Sequence, residues 1–256
     1  MKLYRGGAWA LGLLFGAALM GCGPVTGERA DTLDVYAASS LTEAFQELER
    51  EFEAASPGTD VRLTFAGSQV LRLQIQQGAR ADVFASANSL HMDALEEAGL
   101  AVSRGVFAHN ALVVVVPDDN PAGIRSFREL PRSRRLVVGQ GSTPVGRYTR
   151  EVLKGAGEAF EARVLARVVS EELNARMVRA KVELGEADAA VIYRSDAVAS
   201  RGVRVVPSDE SLNVRASYLQ GGVRGSPKGP LAERWMSFVA SSRGAAVLAR
   251  HGFSGT

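Results

Sequence analysis

The run Gly185-Glu186-Ala187-Asp188-Ala189-Ala190-Val191-Ile192-Tyr193-Arg194-Ser195-Asp196-Ala197 decides how this chain is read. It reads as a helix end at Gly185, a buried strand over 189–193, and a tyrosine delivered at the strand's carboxyl tip. In open α/β sheets ligands sit just beyond those tips. Tyr193 is therefore aimed at a binding crevice.

Outward from that run, strands and amphipathic helices alternate, which predicts an α/β architecture with mainly parallel sheets. Strands are expected over 32–38, 61–65, 82–85, 111–116, 136–139, 164–169, 189–193, 203–206 and 214–219. Helices are expected over 41–55, 69–77, 89–98, 145–153, 174–184, 230–241 and 244–251. The apolar runs at 113–116 and 214–218 read as two crossings between lobes. Lobe one is then 32–113 plus 218–256, and lobe two is 114–217. That is the topology of a two-lobed, type II binding-protein fold that closes about a hinge. One undivided doubly wound sheet is the alternative.

The first residues read as a processing signal. Lys2 and Arg5 form a positive start, and residues 8–20 an apolar stretch shorter than the roughly 20 residues a spanning helix needs. Leu19-Met20-Gly21-Cys22 resembles the bacterial lipobox, so Cys22 is the expected lipidation site and 1–21 the leader. Export to the periplasm or the outer face of the cell membrane follows. An ordinary cleaved signal with an incidental Cys22 is the alternative. Residues 22–31, rich in Gly, Pro, Thr and charge, read as a tether.

Cys22 is the only cysteine, so disulfides and zinc–thiolate sites are excluded from the folded domain. Loss of Lys2 and Arg5 with the leader takes the formal charge from +2 to about zero. A neutral body argues against nucleic acid as a partner, and anion selectivity must come from local donors. His91, His109 and His251 are isolated, so no metal site and no cofactor are expected.

Four strand-to-helix junctions carry small or hydroxylated residues. Ser39 and Ser40 precede Leu41-Thr42-Glu43, where Ser40 with Glu43 fits a capping box. Gly67-Ser68-Gln69 combines close backbone approach with a candidate cap. Gln140-Gly141-Ser142-Thr143-Pro144-Val145 places Pro144 in a first turn, where its missing N–H costs nothing. Ser170 to Arg176 offers Asn174 as a cap. Each helix start exposes unpaired N–H groups and about half a positive charge. Several converging starts make an anion site without lysine or arginine. Arg147, Arg176 and Arg194 lie near these junctions and read as surface charges or ion-pair partners.

These junctions, with Ala81-Asp82-Val83-Phe84-Ala85-Ser86-Ala87 and the closing Arg250-His251-Gly252-Phe253, resemble the solute-binding proteins of molybdate ABC importers across the mature chain. That resemblance implies capture of molybdate, and tungstate with it, by a monomer that delivers it to a membrane permease. It implies an oxyanion held by the hydroxyls of Ser40, Ser68 and Tyr193 and the backbone amides of Val145 and Ala175. Ser39 is a lesser candidate beside Ser40, and the loop before Pro144, one residue shorter than the common form, leaves open whether Thr143, also a lesser candidate, or Ser142 adds a contact. Val145 replaces the usual alanine, which a backbone donor tolerates.

The same fold holding another oxyanion or small organic anion is the nearest rival. A hydrolase with Ser40 or Ser68 as nucleophile lacks a Gly-x-Ser-x-Gly elbow and a histidine beside either serine. No catalysis is expected. A regulatory effector domain is disfavoured by the export signal.

Overall fold

The computed structural model describes residues 31–207 and 214–256. The leader, most of the tether and Cys22 lie outside them.

Among the described residues nine strands form one sheet in the order β2-β1-β3-β9-β4-β7-β5-β6, with β8 paired to β4. The first half carries β1 (Asp31–Ala38), β2 (Thr59–Ala66) and β3 (Val83–Ser86). They pair in parallel, each followed by a helix: α1 (Thr42–Ala55), α2 (Ser68–Gln76) and α3 (Ser89–Glu97). The second half repeats the device with β5 (Leu136–Gly139), β6 (Val168–Glu172) and β7 (Ala189–Tyr193), also parallel. Here α4 (Pro144–Gly155) follows β5, α5 (Glu158–Leu165) comes next, and α6 (Ala175–Glu183) follows β6. The short α7 (Arg194–Val198) begins at the tip of β7.

Antiparallel ladders join the halves. The long β4 (Ala101–Pro117) pairs with β9 (Arg215–Val223) up to Ala111. From Leu112 it pairs with β7, and further on with β8 (Val203–Val206). The change of partner within β4 is where the chain passes from one half to the other. The closing helices α8 (Gly229–Val239) and α9 (Ser242–Arg250) return to the first half, where Trp235 packs edge-on against Phe45 and Phe52.

One expected element is corrected. Residues 164 and 165 end helix α5, and the strand begins only at Val168. Val164 is buried as a helix residue beside Phe160, so apolar runs alone did not separate the two periodicities. The helices α5 and α7 and the first ten residues of β4 were also not anticipated.

A buried carboxylate sets the entry of the innermost parallel strand of each half. Asp188 accepts hydrogen bonds from the backbone N–H groups of Arg134 and Arg135 at 2.8 and 3.0 Å, and pairs with the Arg135 guanidinium. This ties the start of β7 to the residues entering β5 and so fixes where Tyr193 emerges. Asp82 does the same before β3, accepting from the N–H of Asp34 at 2.7 Å.

Candidate functional site

The strand tips converge on one pocket between the two halves. It is lined by Ser39, Ser40, Ser68, Thr143, Val145, Ala175 and Tyr193, with Ala38, Ala66, Gly67, Ala87, Pro144 and Asn174 completing the wall. All seven residues singled out from the sequence meet there. The empty space, mouth included, is about 210 Å³. The space open to the centre of a water-sized sphere is only about 10 Å³, so the pocket suits a compact ion.

Each polar group's existing bonds decide what it can still offer. Ser39 to Leu41 form a 3-10 turn rather than the start of α1, and Ser40 makes no cap bond. The capping box is therefore not formed. Instead Ser40 Oγ lies 2.7 Å from the Tyr218 hydroxyl. Asn110 Nδ2 donates weakly to that phenol at 3.5 Å and to Ser195 Oγ at 2.9 Å. When Tyr218 in turn donates to Ser40, every proton in the chain is used once and the Ser40 hydrogen is left for the pocket. Ser68 does not cap α2 either. Its oxygen accepts from the Ala87 N–H at 3.1 Å, which leaves its hydrogen unspent.

Thr143 differs. Its hydroxyl donates to the Gln140 carbonyl at 2.7 Å and accepts from the Gly146 N–H at 3.0 Å. It lines the pocket with no proton to give, but by capping Gly146 it leaves the Val145 N–H as the free donor of the first turn. Pro144 before it has no N–H to lose. Asn174 acts likewise at α6, accepting from the Met177 N–H at 3.0 Å and leaving the Ala175 N–H free. Ser39 stands on the wall with its carbonyl bonded to Thr42 Oγ1 at 2.7 Å.

Tyr193 is 1% exposed, and its hydroxyl has no hydrogen-bond partner among the described residues. Leaving a buried donor unmade costs about 1–3 kcal/mol, so a partner is owed at this atom. Burial pushes the phenol's pKa well above the usual value, and Tyr218 shares that environment. Both remain protonated donors.

The nearby arginines do not enter the pocket. Arg147 and Arg194 are exposed, and Arg176 pairs with Glu43. Among the described residues no cluster of His, Cys, Asp or Glu is placed to hold a metal ion. The pocket thus combines three hydroxyls and two amides, with the starts of α2, α4 and α6 and the turn before α1 facing it. This is the chemistry of an unprotonated anion held by neutral donors.

Sequence reasoning missed Asn110, Ser195 and Tyr218, which position Ser40. Ser195 stood in the deciding run and Tyr218 in a recognised strand, but a buried hydroxyl has no periodic signature. Asn110 fell just before the strand start expected at 111.

The bacterial extracellular solute-binding protein model matches residues 33–254. The molybdate-binding protein ModA of Mycobacterium tuberculosis is 37% identical over 235 residues, covering 91% of this chain and 87% of that protein. Among solved structures, the periplasmic molybdate-binding protein of Azotobacter vinelandii aligns with a TM-score of 0.76 at 18% identity, covering 88% of this chain and 99% of that one. The sulfate-binding protein SubI of M. tuberculosis aligns with a TM-score of 0.81 at 16% identity, covering 88% and 87%. Similarity this remote carries the fold and not the ligand. The chain belongs to the bacterial extracellular solute-binding proteins and to the family of the molybdate-binding protein ModA.

Proposed function

We propose that this protein captures molybdate, and tungstate as well, outside the cytoplasm and delivers it to the membrane permease of an ABC importer. The ligand is held by the hydroxyls of Ser40, Ser68 and Tyr193 and the amides of Val145 and Ala175. The observation that carries the reading is the Tyr193 hydroxyl, buried in a donor-lined pocket without a partner. A dianion supplies the missing acceptor, and the donors replace its hydration shell. Burying such an ion without partners would cost tens of kcal/mol, so each donor matters.

Binding closes the lobes, taken as 32–113 plus 218–256 and 114–217, and the closed form is what the permease receives. No catalytic step is involved. The mature chain is a monomer anchored by a lipid on Cys22. A thermal-shift series tests the ligand, because a molecule that binds only the folded state stabilises it by RT ln(1 + [L]/Kd). Molybdate and tungstate raise Tm strongly, while sulfate and phosphate do so weakly. A larger shift with sulfate would transfer the site to the anion of the structurally similar SubI.

A further inference from the structure

Gln69 lies outside the pocket wall, yet its side chain spans the two halves of the molecule. Its Nε2 donates to the Leu173 carbonyl at 2.7 Å, across 104 positions of sequence. Gln69 follows Ser68, and Leu173 lies two residues before Ala175. The bond thus joins the segment offering a hydroxyl to the segment offering an amide. Gly67 makes room for it: a Cβ there would stand 2.5 Å from the same carbonyl oxygen. A second tie reaches the same first turn of α6, where Arg176 pairs with Glu43 of α1.

We infer that Gln69, with Gly67 and the Glu43–Arg176 pair, forms a latch that holds the start of α6 against the first lobe and so aims the Ala175 amide. The inference rests on the proposed function, because it takes closure about the pocket as the binding step. None of the latch bonds involves a proposed ligand donor, so the latch changes the population of the closed form and not the contacts within it. Apparent affinity scales with that population. The latch is also incomplete. Gln69 is 7% exposed and its Oε1 has no partner among the described residues. Opening returns that oxygen to water, which limits how firmly the latch holds and lets the ligand leave.

The test uses Gln69→Ala and Gly67→Ala with spin labels on cysteines replacing Glu97 and Glu158, in a Cys22→Ser background. Inter-lobe distances are read by pulsed electron resonance with and without sodium molybdate, alongside calorimetric Kd and the Tm of the ligand-free protein. Gln69→Ala is expected to weaken molybdate binding about three- to tenfold, the worth of one net hydrogen bond, with Tm unchanged. Gly67→Ala is expected to lose the short-distance population and weaken binding at least tenfold. Wild-type distances and Kd in both variants would overturn the latch, as would a ligand-free Tm that falls in step with affinity. If the wild-type protein ignores molybdate, the proposed function fails, and the ligand-free distances still decide the latch.

Discussion

Replacing Tyr193 with phenylalanine removes one oxygen and should separate binding from stability. The hydroxyl makes no protein hydrogen bond, whereas its ring packs edge-on against Tyr218 at 5.8 Å. Phenylalanine keeps that packing. The ligand-free protein should therefore keep its Tm, or gain slightly, because an unmade buried donor costs about 1–3 kcal/mol. Binding changes in the opposite direction. A hydrogen bond to a charged group is worth about 1.5–3 kcal/mol, and about 1.4 kcal/mol is tenfold in Kd. Tyr193→Phe should weaken molybdate binding roughly ten- to hundredfold in calorimetric titration. An unchanged Kd would show that the phenol does not face the ligand. A fall in ligand-free Tm would show that it is structural after all.

The serines should behave differently from Tyr193 and from each other. Ser40→Ala also leaves the Tyr218 hydroxyl short of a partner, so it should lose about tenfold in affinity and some Tm as well. Ser68→Ala strips the Ala87 N–H of its acceptor and should do likewise. Val145→Ala should bind normally in the same titration, and Val145→Pro should be as damaging as losing a serine; the reverse order would sink the backbone-donor assignment. Cys22→Ser should move the protein from the membrane to the soluble fraction with ligand binding intact, and an unaltered membrane fraction refutes lipidation there. Burial lifts the Asp196 carboxyl to about 7 despite Arg179 and Arg176, with Glu43 and Glu183 pushing the same way as burial. A raised folded pKa contributes stability that is full below the ordinary carboxylate range and lost as pH rises through about 7. Asp196→Asn should therefore raise Tm at pH 8 and lose that advantage by pH 4; a lower Tm at pH 8 refutes the sign. His91, lowered to about 4 mainly by burial, opposes this in the wild type, since its contribution is lost as pH falls from about 6.5 through 4.

The sequence made the strand tips and their small-residue junctions legible because both are local signals. A buried strand such as 189–193 is continuous in apolar character, and helix starts carry their own caps, as Thr143 and Asn174 show. What stayed hidden depends on contacts between distant segments. Ser40 looked like a capping residue until Tyr218 arrived from 178 positions away and took its oxygen. Gly67 was read as allowing close backbone approach, but what approaches it is the Leu173 carbonyl from the other half. Thr143 could be placed at the pocket from sequence, whereas the commitment of its proton to Gln140 could not. Local chemistry nominates donors; tertiary partners decide which still have a hydrogen to give.

That accounting also explains why no arginine is needed. A guanidinium in the pocket would attract any small anion over a distance set by salt, and would favour charge over shape. Here Arg176 is turned to Glu43, while Arg147 and Arg194 face solvent. The pocket instead presents fixed N–H and O–H groups, each already oriented by a second bond or, for Tyr193, by complete burial. Fixed donors score the positions of oxygens rather than charge alone, and the two amides have nothing with which to accept a proton from a protonated anion. On the proposed function, molybdate is favoured over protonated phosphate where its oxygens meet the amides, and over sulfate, an unprotonated dianion too, by the reach of its oxygens. The shared fold leaves that second distinction to the side chains and turn lengths at the strand tips.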